Sequence, residues 1–152
     1  MLGINTYIVA EAGVNHNGDP DMAFKLIDIA SDAGADAVKF QIFNPENLAT
    51  KDAKKAKYQI ETTDKKESHL EMLKSLVLPN SVYVDLAAYA GKKNIEFFST
   101  AFDTQSLDFL VNSIGVERLK IPSGEITNGP FLLAHASTKK DIIVSTGMAT
   151  ME

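Results

Sequence analysis

The chain of 152 residues contains no cysteine. It can form neither a disulfide framework nor a thiolate metal site, which fits a protein of the reducing cytosol. It also lacks any apolar run close to the roughly 18 residues that a membrane-spanning helix needs. Residues 1–5 are too few and too polar to serve as a secretory signal before the first apolar segment. These absences predict a cytoplasmic protein that does not enter a membrane.

Basic residues are in the minority. Fifteen lysine and arginine residues stand against 20 aspartate and glutamate residues, and the formal net charge is −5. This balance argues against a nucleic-acid partner, because such a partner requires a basic face. The lysines of residues 51–57 are followed closely by acidic residues, so we interpret them as a solvated surface.

Histidine is also scarce. His16, His69 and His135 do not have metal-ligand spacing, so the sequence predicts no metal site in this chain. We interpret His16 as a polar residue of the turn at residues 15–18. The other two histidines lie in predicted helices, and we interpret them as surface residues.

The sequence does contain a regular alternation of short apolar strands and amphipathic helices. The strands read as apolar on both faces, which is typical of a parallel sheet covered on each side. This pattern fits a β/α barrel or a doubly wound open sheet. The five predicted strands are residues 7–11, 37–42, 95–99, 117–121 and 141–145.

Capping residues mark the predicted helix ends. Asp19 opens the first helix and Gly34 ends it. Further helices are predicted at about residues 81–93, after Asp103 and from Gly129.

The length of the chain limits the fold. An eight-stranded β/α barrel takes roughly 250 residues, and the predicted pattern stops after the fifth strand. The residues alone therefore leave an open sheet and the first part of a barrel as alternatives.

Residues 43–79 form a long insertion between the second and third strands, with a predicted helix at residues 67–76. An insertion at the carboxyl end of a strand is well placed to be a lid over a site.

Polar side chains stand at the ends of all five predicted strands. Because the carboxyl ends of parallel strands meet at one edge, we expect these groups to lie together, as in a barrel active site. Two lysines, several hydroxyl groups and the backbone N–H groups of glycines could together bind an anionic ligand that carries a phosphate and a carboxylate. The candidates are Glu11; Lys39 and Gln41; Ser99 and Thr100; Lys120, Ser123, Gly124 and Glu125; and Ser145, Thr146 and Gly147.

Each candidate alone has a simpler interpretation. A lysine at a strand end is usually exposed, and a serine or threonine there usually caps a helix or forms a turn. The recurrence at five successive strand ends is what favours a site. Glu11 would face the ring of donors, where it could bind a sugar hydroxyl or move a proton.

The same segments resemble the sialic acid (N-acetylneuraminate) synthase family in order and spacing. The resemblance covers the whole chain and rests on several independent motifs. These are IVAEAGVNHNG at residues 8–18, AVKFQ at 37–41, FSTAFD at 98–103, KIPSGE at 120–125, STGM at 145–148 and, in the insertion, KYQ at 57–59 with residues 68–73.

The resemblance implies a TIM-type β/α barrel. Residues 1–152 would then be the N-terminal part of the synthase domain, with the first five strand–helix units and the insertion at 43–79. The rest of the barrel and a small accessory C-terminal domain are expected outside these residues. The implied enzyme is a carbon–carbon bond-forming transferase that condenses phosphoenolpyruvate with N-acetylmannosamine or a related acylated amino sugar. Its products are a nine-carbon 2-keto acid and phosphate.

The resemblance also implies roles for single residues. Glu11, Lys39 and Lys120 are the implied catalytic residues, and Glu11 lies on the sugar side. Four further residues are implied to bind substrate. Gln41 lies on the sugar side. The other three match positions around phosphoenolpyruvate, as the two lysines do; they are Thr100, Ser123 and Ser145.

A divalent metal, Mn²⁺ or Mg²⁺, is implied as well, with its histidine ligands on later strands outside this chain. The full-length protein is expected to be a homodimer. On its own, the chain of 152 residues is expected to be inactive and to associate through the unpaired edges of its first and fifth strands.

Two other functions stay open. One is a different phosphoenolpyruvate-condensing synthase that uses a phosphorylated aldose. Two observations argue against this alternative. Glu11 and Gln41 stand on the sugar side, and the chain has a single arginine, Arg118, whereas a second phosphate would favour a pair of arginines. The other is a non-catalytic half barrel that binds phosphoenolpyruvate or phosphate, or that associates with another chain.

Overall fold

The computed structural model describes residues 6–50, 53, 55 and 67–150. The KYQ motif at residues 57–59 and most of the lysines of residues 51–57 lie outside these residues. No helix in the described ranges has both the length and the apolar character needed to cross a membrane.

Five strands form one parallel sheet, and they lie side by side in chain order. The second strand has the predicted bounds. The first and third end two residues later than predicted, so Glu11 lies within its strand and not at the end of it. The strands are β1 (Val9–Gly13), β2 (Ala37–Ile42), β3 (Glu96–Ala101), β4 (Arg118–Ile121) and β5 (Asp141–Val144).

The helices follow the strands as predicted, with two short ones in the insertion. They are α1 (Pro20–Asp32), α2 (Pro45–Leu48), α3 (His69–Ser75), α4 (Asn80–Lys92), α5 (Thr104–Asp108), which continues as a π-helix over Phe109–Ile114, and α6 (Gly129–Ser137). The Asp19 side chain accepts hydrogen bonds from two backbone N–H groups at the start of α1. Asp103 caps α5 in the same way, through the N–H of Ser106. Both predicted caps are confirmed.

The main helices pack against one face of the sheet. Successive strand side chains alternate between two faces, and one set joins α1, α4, the π-helix and α6 in a single apolar core. The core includes Val38, Phe40, Ile42, Phe97, Ala101 and Leu119 from the strands and Ile27, Leu86, Leu110 and Phe131 from the helical layer. The face opposite the helices is mixed: Ala37 and Phe98 are buried there together with Lys39 and Thr100, so the strands are apolar on that face only in part.

The strand order runs without a reversal. A doubly wound sheet reverses its order and carries helices on both faces, so that alternative does not describe these strands. The described fold is α/β with an open parallel sheet in which β1 and β5 form the edges.

Two histidines are more buried than their sequence positions indicate. His135 is fully buried on the core side of α6, where its ring meets the Phe131 ring edge-on at 4.4 Å. Its interpretation as a surface residue is therefore wrong, and that of His69, which is partly buried, is inaccurate. His16 does lie in a turn, but it is also fully buried, and its Nδ1 accepts the N–H of Gly18 at 3.1 Å. Burial lowers the pKa of both His16 and His135.

The insertion covers the carboxyl ends of the first three strands. Phe43, Met72 and Leu73 form a second apolar cluster, and Val14 and Phe102 pack against it. Val14, Phe43 and Phe102 directly follow β1, β2 and β3, so α3 rests on the edge where the sequence predicts a site. A capping box between Ser68 and Glu71 fixes the first turn of α3.

Gly18, in the loop after β1, lies against the backbone at the end of α3. Its φ is +75°, and a Cβ at this position would lie far inside contact distance of the Ser75 carbonyl oxygen. Only glycine satisfies both the left-handed backbone and the close contact.

We predict that Gly18→Ala destabilises the protein more than Gly34→Ala does. Both glycines have φ +75°, but nothing lies within 4 Å of a Cβ at Gly34. The left-handed backbone alone costs about 1–2 kcal/mol, and displacing Ser75 should add about 1–3 kcal/mol. Urea unfolding of the two variants measures the difference, and equal losses would show that the contact has no energetic weight.

Candidate active site

The face of the sheet opposite the helices carries the polar candidates. Glu11, Lys39, Gln41, Thr100 and Lys120 all have the side-chain parity that points away from the apolar core. The strand register also places them next to each other, since Glu11 pairs with Lys39, Gln41 with Thr100, and Thr100 with Lys120. The predicted convergence of these five residues is therefore present in the fold.

Lys39 is the centre of this group. It is buried, with 7% of its surface exposed, and its Nζ forms an ion pair with the Glu11 carboxylate. The same Nζ donates to Thr100 Oγ1 at 3.5 Å. Lys39 thus bridges β1 and β3, and the half-exposed Glu11 supplies the charge that makes its burial tolerable.

Lys120 lies on β4, two strands away from Lys39. Its Nζ donates to Ser145 Oγ at 2.6 Å and to the Ile121 carbonyl at 2.8 Å. Burial lowers the pKa of Lys120, the positive charge of Lys39 lowers it further, and the Glu11 carboxylate opposes both effects. Two ammonium groups therefore share one carboxylate, and the uncompensated positive charge favours an anion at this edge.

The loops after β4 and β5 meet beside Lys120. A Cβ at Gly147 would lie 2.8 Å from Ser123 Cβ and 3.2 Å from Ser123 Oγ, so the missing side chain of Gly147 makes room for the serine. Ser123 is exposed and Ser145 is partly buried. Their hydroxyls extend the donor set from the two lysines toward solvent, as an anion arriving from solution requires.

Glu11 and Gln41 converge at Gly13. A Cβ at this glycine would lie 3.1 Å from Glu11 Oε1 and 3.5 Å from Gln41 Nε2. The register between β1 and β2 shifts between Glu11 and Gly13, which is a local irregularity of the ladder. A carboxylate and an amide meeting on one side of the lysines form a surface suited to hydroxyl groups.

Three candidates do not join this group. Ser99 has the opposite parity and is fully buried on the helix side, where its hydroxyl reaches only the Thr100 carbonyl at 3.5 Å. Glu125 accepts a hydrogen bond from Asn128 at 2.7 Å at the start of α6, and Thr146 is an exposed residue after β5. Proximity to a strand end does not determine the face on which a side chain lies.

Sequence reasoning missed the residues that hold the end of β2. Tyr83 of α4, 2% exposed, donates its hydroxyl to the Gln41 carbonyl at 2.8 Å. Asp103 accepts the N–H of Asn44 at 2.8 Å. An amphipathic pattern indicates that Tyr83 is buried, but its partner is on a strand 42 residues earlier, and only the fold shows the pair.

The described residues do not fit a divalent metal. Within the described ranges, no group of three or more histidine, cysteine, aspartate or glutamate side chains could hold a metal ion. The implied Mn²⁺ or Mg²⁺ therefore stays a prediction, and no step below is routed through it.

Comparison with known proteins gives the family. Residues 26–152 match the model of the NeuB family. The chain belongs to the NeuB family, and the resemblance to sialic acid synthases is confirmed.

Individual relatives agree with this assignment. The N,N'-diacetyllegionaminic acid synthase of Campylobacter jejuni is 53% identical over 96% of this chain and 43% of its own length. The human N-acetylneuraminate-9-phosphate synthase is 31% identical over 96% of this chain and 40% of its own length. The solved N-acetylneuraminic acid (sialic acid) synthetase of Leptospira borgpetersenii superposes with a TM-score of 0.78, at 35% identity, over 99% of this chain and 50% of that chain. The chain thus spans less than half the length of these curated relatives.

We predict that Lys39→Met and Lys120→Met each weaken phosphate binding at least about tenfold, because a hydrogen bond to a charged group contributes about 1.5–3 kcal/mol. Methionine keeps much of the apolar stem and removes the charge. Lys74→Met is the control, since Lys74 pairs with Glu46 on the surface of the insertion. Calorimetric titration with inorganic phosphate tests this, and unchanged affinity in both variants would refute the anion site.

The affinity for phosphate should fall as the pH rises. The fall should begin at a lower pH than it would if Lys120 had the usual pKa of a lysine. Only the protonated Lys120 attracts an anion, and burial, together with the charge of Lys39, holds its pKa below the usual value for a lysine. As the pH rises through this lowered pKa the charge is lost and binding weakens. Titrations from about pH 8 to about pH 10 should show this loss in the unmodified protein and a flatter profile in Lys120→Met; identical profiles would contradict it.

Proposed function

We propose that the protein to which this chain belongs condenses phosphoenolpyruvate with an acylated amino sugar. The products are a nine-carbon 2-keto acid and phosphate. The observation that carries the proposal is the pair of lysines on the sheet face opposite the helices, flanked by hydroxyl donors on one side and by Glu11 and Gln41 on the other. Relatives named as sialic and legionaminic acid synthases support it.

We further propose that these strands form part of a TIM-type barrel. Strands in chain order with the main helices on one face are the arrangement that such a barrel repeats eight times. In a closed barrel the polar face would line the interior, and the carboxyl ends would form its active-site rim. The exposed edges of β1 and β5 would then pair with further strands.

The reaction balances without an added oxidant or reductant. C3 of phosphoenolpyruvate forms a bond to the aldehyde carbon, and the aldehyde oxygen takes a proton and becomes a hydroxyl. Water adds to C2, and the C2–O bond to phosphate then breaks. The oxygen of water becomes the new keto oxygen, and its two protons are accounted for by the new hydroxyl and the released hydrogen phosphate.

The residues of this chain would bind and neutralise charge in that sequence. Lys39 and Lys120 hold the phosphate and carboxylate groups of phosphoenolpyruvate, with donors from Thr100, Ser123 and Ser145. Because phosphate carries more negative charge as it leaves, the same donors stabilise the later step. Glu11 orients a sugar hydroxyl or carries a proton, and Gln41 binds the sugar beside it.

The relatives also favour a particular sugar class. The N,N'-diacetyllegionaminic acid synthases of Campylobacter jejuni and Legionella pneumophila are 53% and 50% identical to this chain, while N-acetylneuraminate-9-phosphate synthases of fly, mouse and human are 31–34% identical. An aldose with two acylamino groups is therefore the preferred substrate in this proposal, ahead of N-acetylmannosamine or a phosphorylated sugar. The metal requirement and the homodimer implied by the resemblance remain part of the proposal.

We predict that the longest available form of the protein releases phosphate from phosphoenolpyruvate only when an acylated aldose is present. A phosphate-release assay with and without the aldose, repeated with Mn²⁺ and with a chelator, measures this. Lys120→Met should reduce turnover at least about tenfold. Anion binding without aldose-dependent release would favour the non-catalytic alternative. The same assay on the chain of 152 residues tests the expectation that it is inactive by itself.

A further inference from the structure

A large cavity lies beside the anion site. It has a volume of about 700 Å³, is partly open to solvent, and lies between the loop after β1, the end of β2 and residues 67–76 of the insertion. Gln41 lines this cavity, and its amide also lies next to Glu11 at Gly13. A sugar held by Glu11 and Gln41 therefore has one end toward the lysines and its other end toward the cavity.

The walls of the cavity are of two kinds. Helix α3 and the strand ends supply an apolar wall that includes Phe43, Met72, Leu73, Leu76 and Phe102. Polar residues also line the cavity: the amide residues Asn15 and Asn17, the acidic residue Glu67, and His69 at the start of α3. One part of the cavity removes apolar groups from water, and another offers hydrogen bonds.

We infer that this cavity binds the acylamino group remote from the aldehyde, and that α3 makes the protein selective for it. The inference rests on the proposed function. An acylamino group such as acetamido carries a methyl group on a planar amide. Its methyl group can pack against the apolar wall while its amide forms hydrogen bonds with side-chain amides. A hydroxyl at the same sugar carbon has neither the methyl group that packs against the apolar wall nor the amide that pairs with the side-chain amides.

The apolar wall is preformed, which selectivity requires. The capping box of Ser68 and Glu71 fixes the start of α3, with the Ser68 N–H donating to Glu71 Oε2 at 2.8 Å. Met72 and Leu73 are buried against Phe43, and the Gly18 contact holds the end of the helix at Ser75. The wall therefore does not have to order itself around the ligand.

The test uses the full-length protein and two aldoses. One carries acetamido groups on two carbons, and the other is N-acetylmannosamine; kcat/KM is measured for both at saturating phosphoenolpyruvate. We expect the diacylated aldose to be preferred. Leu73→Ala should reduce this preference about 3- to 30-fold, since it removes three carbons from the wall and each buried CH₂ contributes about 0.8 kcal/mol at most.

Asn15→Ala is the second variant, because Asn15 is exposed and its truncation should not impair folding. Loss of one hydrogen bond should lower the preference about 2- to 10-fold. Val77→Ala is the matched control: Val77 follows the same helix but lines a separate cavity of about 190 Å³, so the preference should not change.

The outcomes separate the two proposals. If neither aldose supports phosphate release, the proposed function fails and the inference fails with it. If both react but the preference is absent, or is unchanged in Leu73→Ala and Asn15→Ala, the inference alone is overturned. A preference that falls equally in Val77→Ala would likewise overturn it, because the effect would not belong to this cavity.

Discussion

The site depends on keeping two like charges close together in a partly buried place. Lys39 and Lys120 extend from strands on either side of β3, and the charge of Lys39 disfavours the charged form of Lys120. Glu11 compensates one of them through its ion pair with Lys39. Desolvated charges are costly unless they are paired, so the remaining positive charge is best satisfied by an incoming anion. This imbalance gives the sheet face opposite the helices its chemistry.

The rest of the structure supports this arrangement by separating two functions of the sheet. One face is apolar and carries the helices, which supply the burial that stabilises the fold. The other face is free to hold polar groups. The insertion adds a further layer at the carboxyl edge, where its apolar cluster and the close contact at Gly18 hold α3 over the strand ends. A rigid scaffold with functional groups at one edge is how β/α folds combine stability with chemistry.

Much of the fold follows from local signals. The bounds of β2, the caps at Asp19 and Asp103 and the start of α6 at Gly129 all agree with their predicted positions. Each depends on a hydrophobic run or on a side chain that bonds to a backbone group a few residues away. The ends of β1 and β3 were predicted less well, because the length of a parallel strand depends on hydrogen bonds to neighbours that are distant in sequence.

For the candidate site, the sequence by itself determined which residue types stand at the strand ends and that parallel strands bring them to one edge. Only the tertiary structure decided which of them share a face. Ser99 and Thr100 are adjacent in the chain, yet Ser99 is buried toward the helices and Thr100 meets Lys39. It also decided that Tyr83 bonds to the Gln41 carbonyl and that His135 is buried. The physical reason is that strand parity, register and long-range packing are fixed by pairing between segments, and a linear sequence contains no direct record of those pairings.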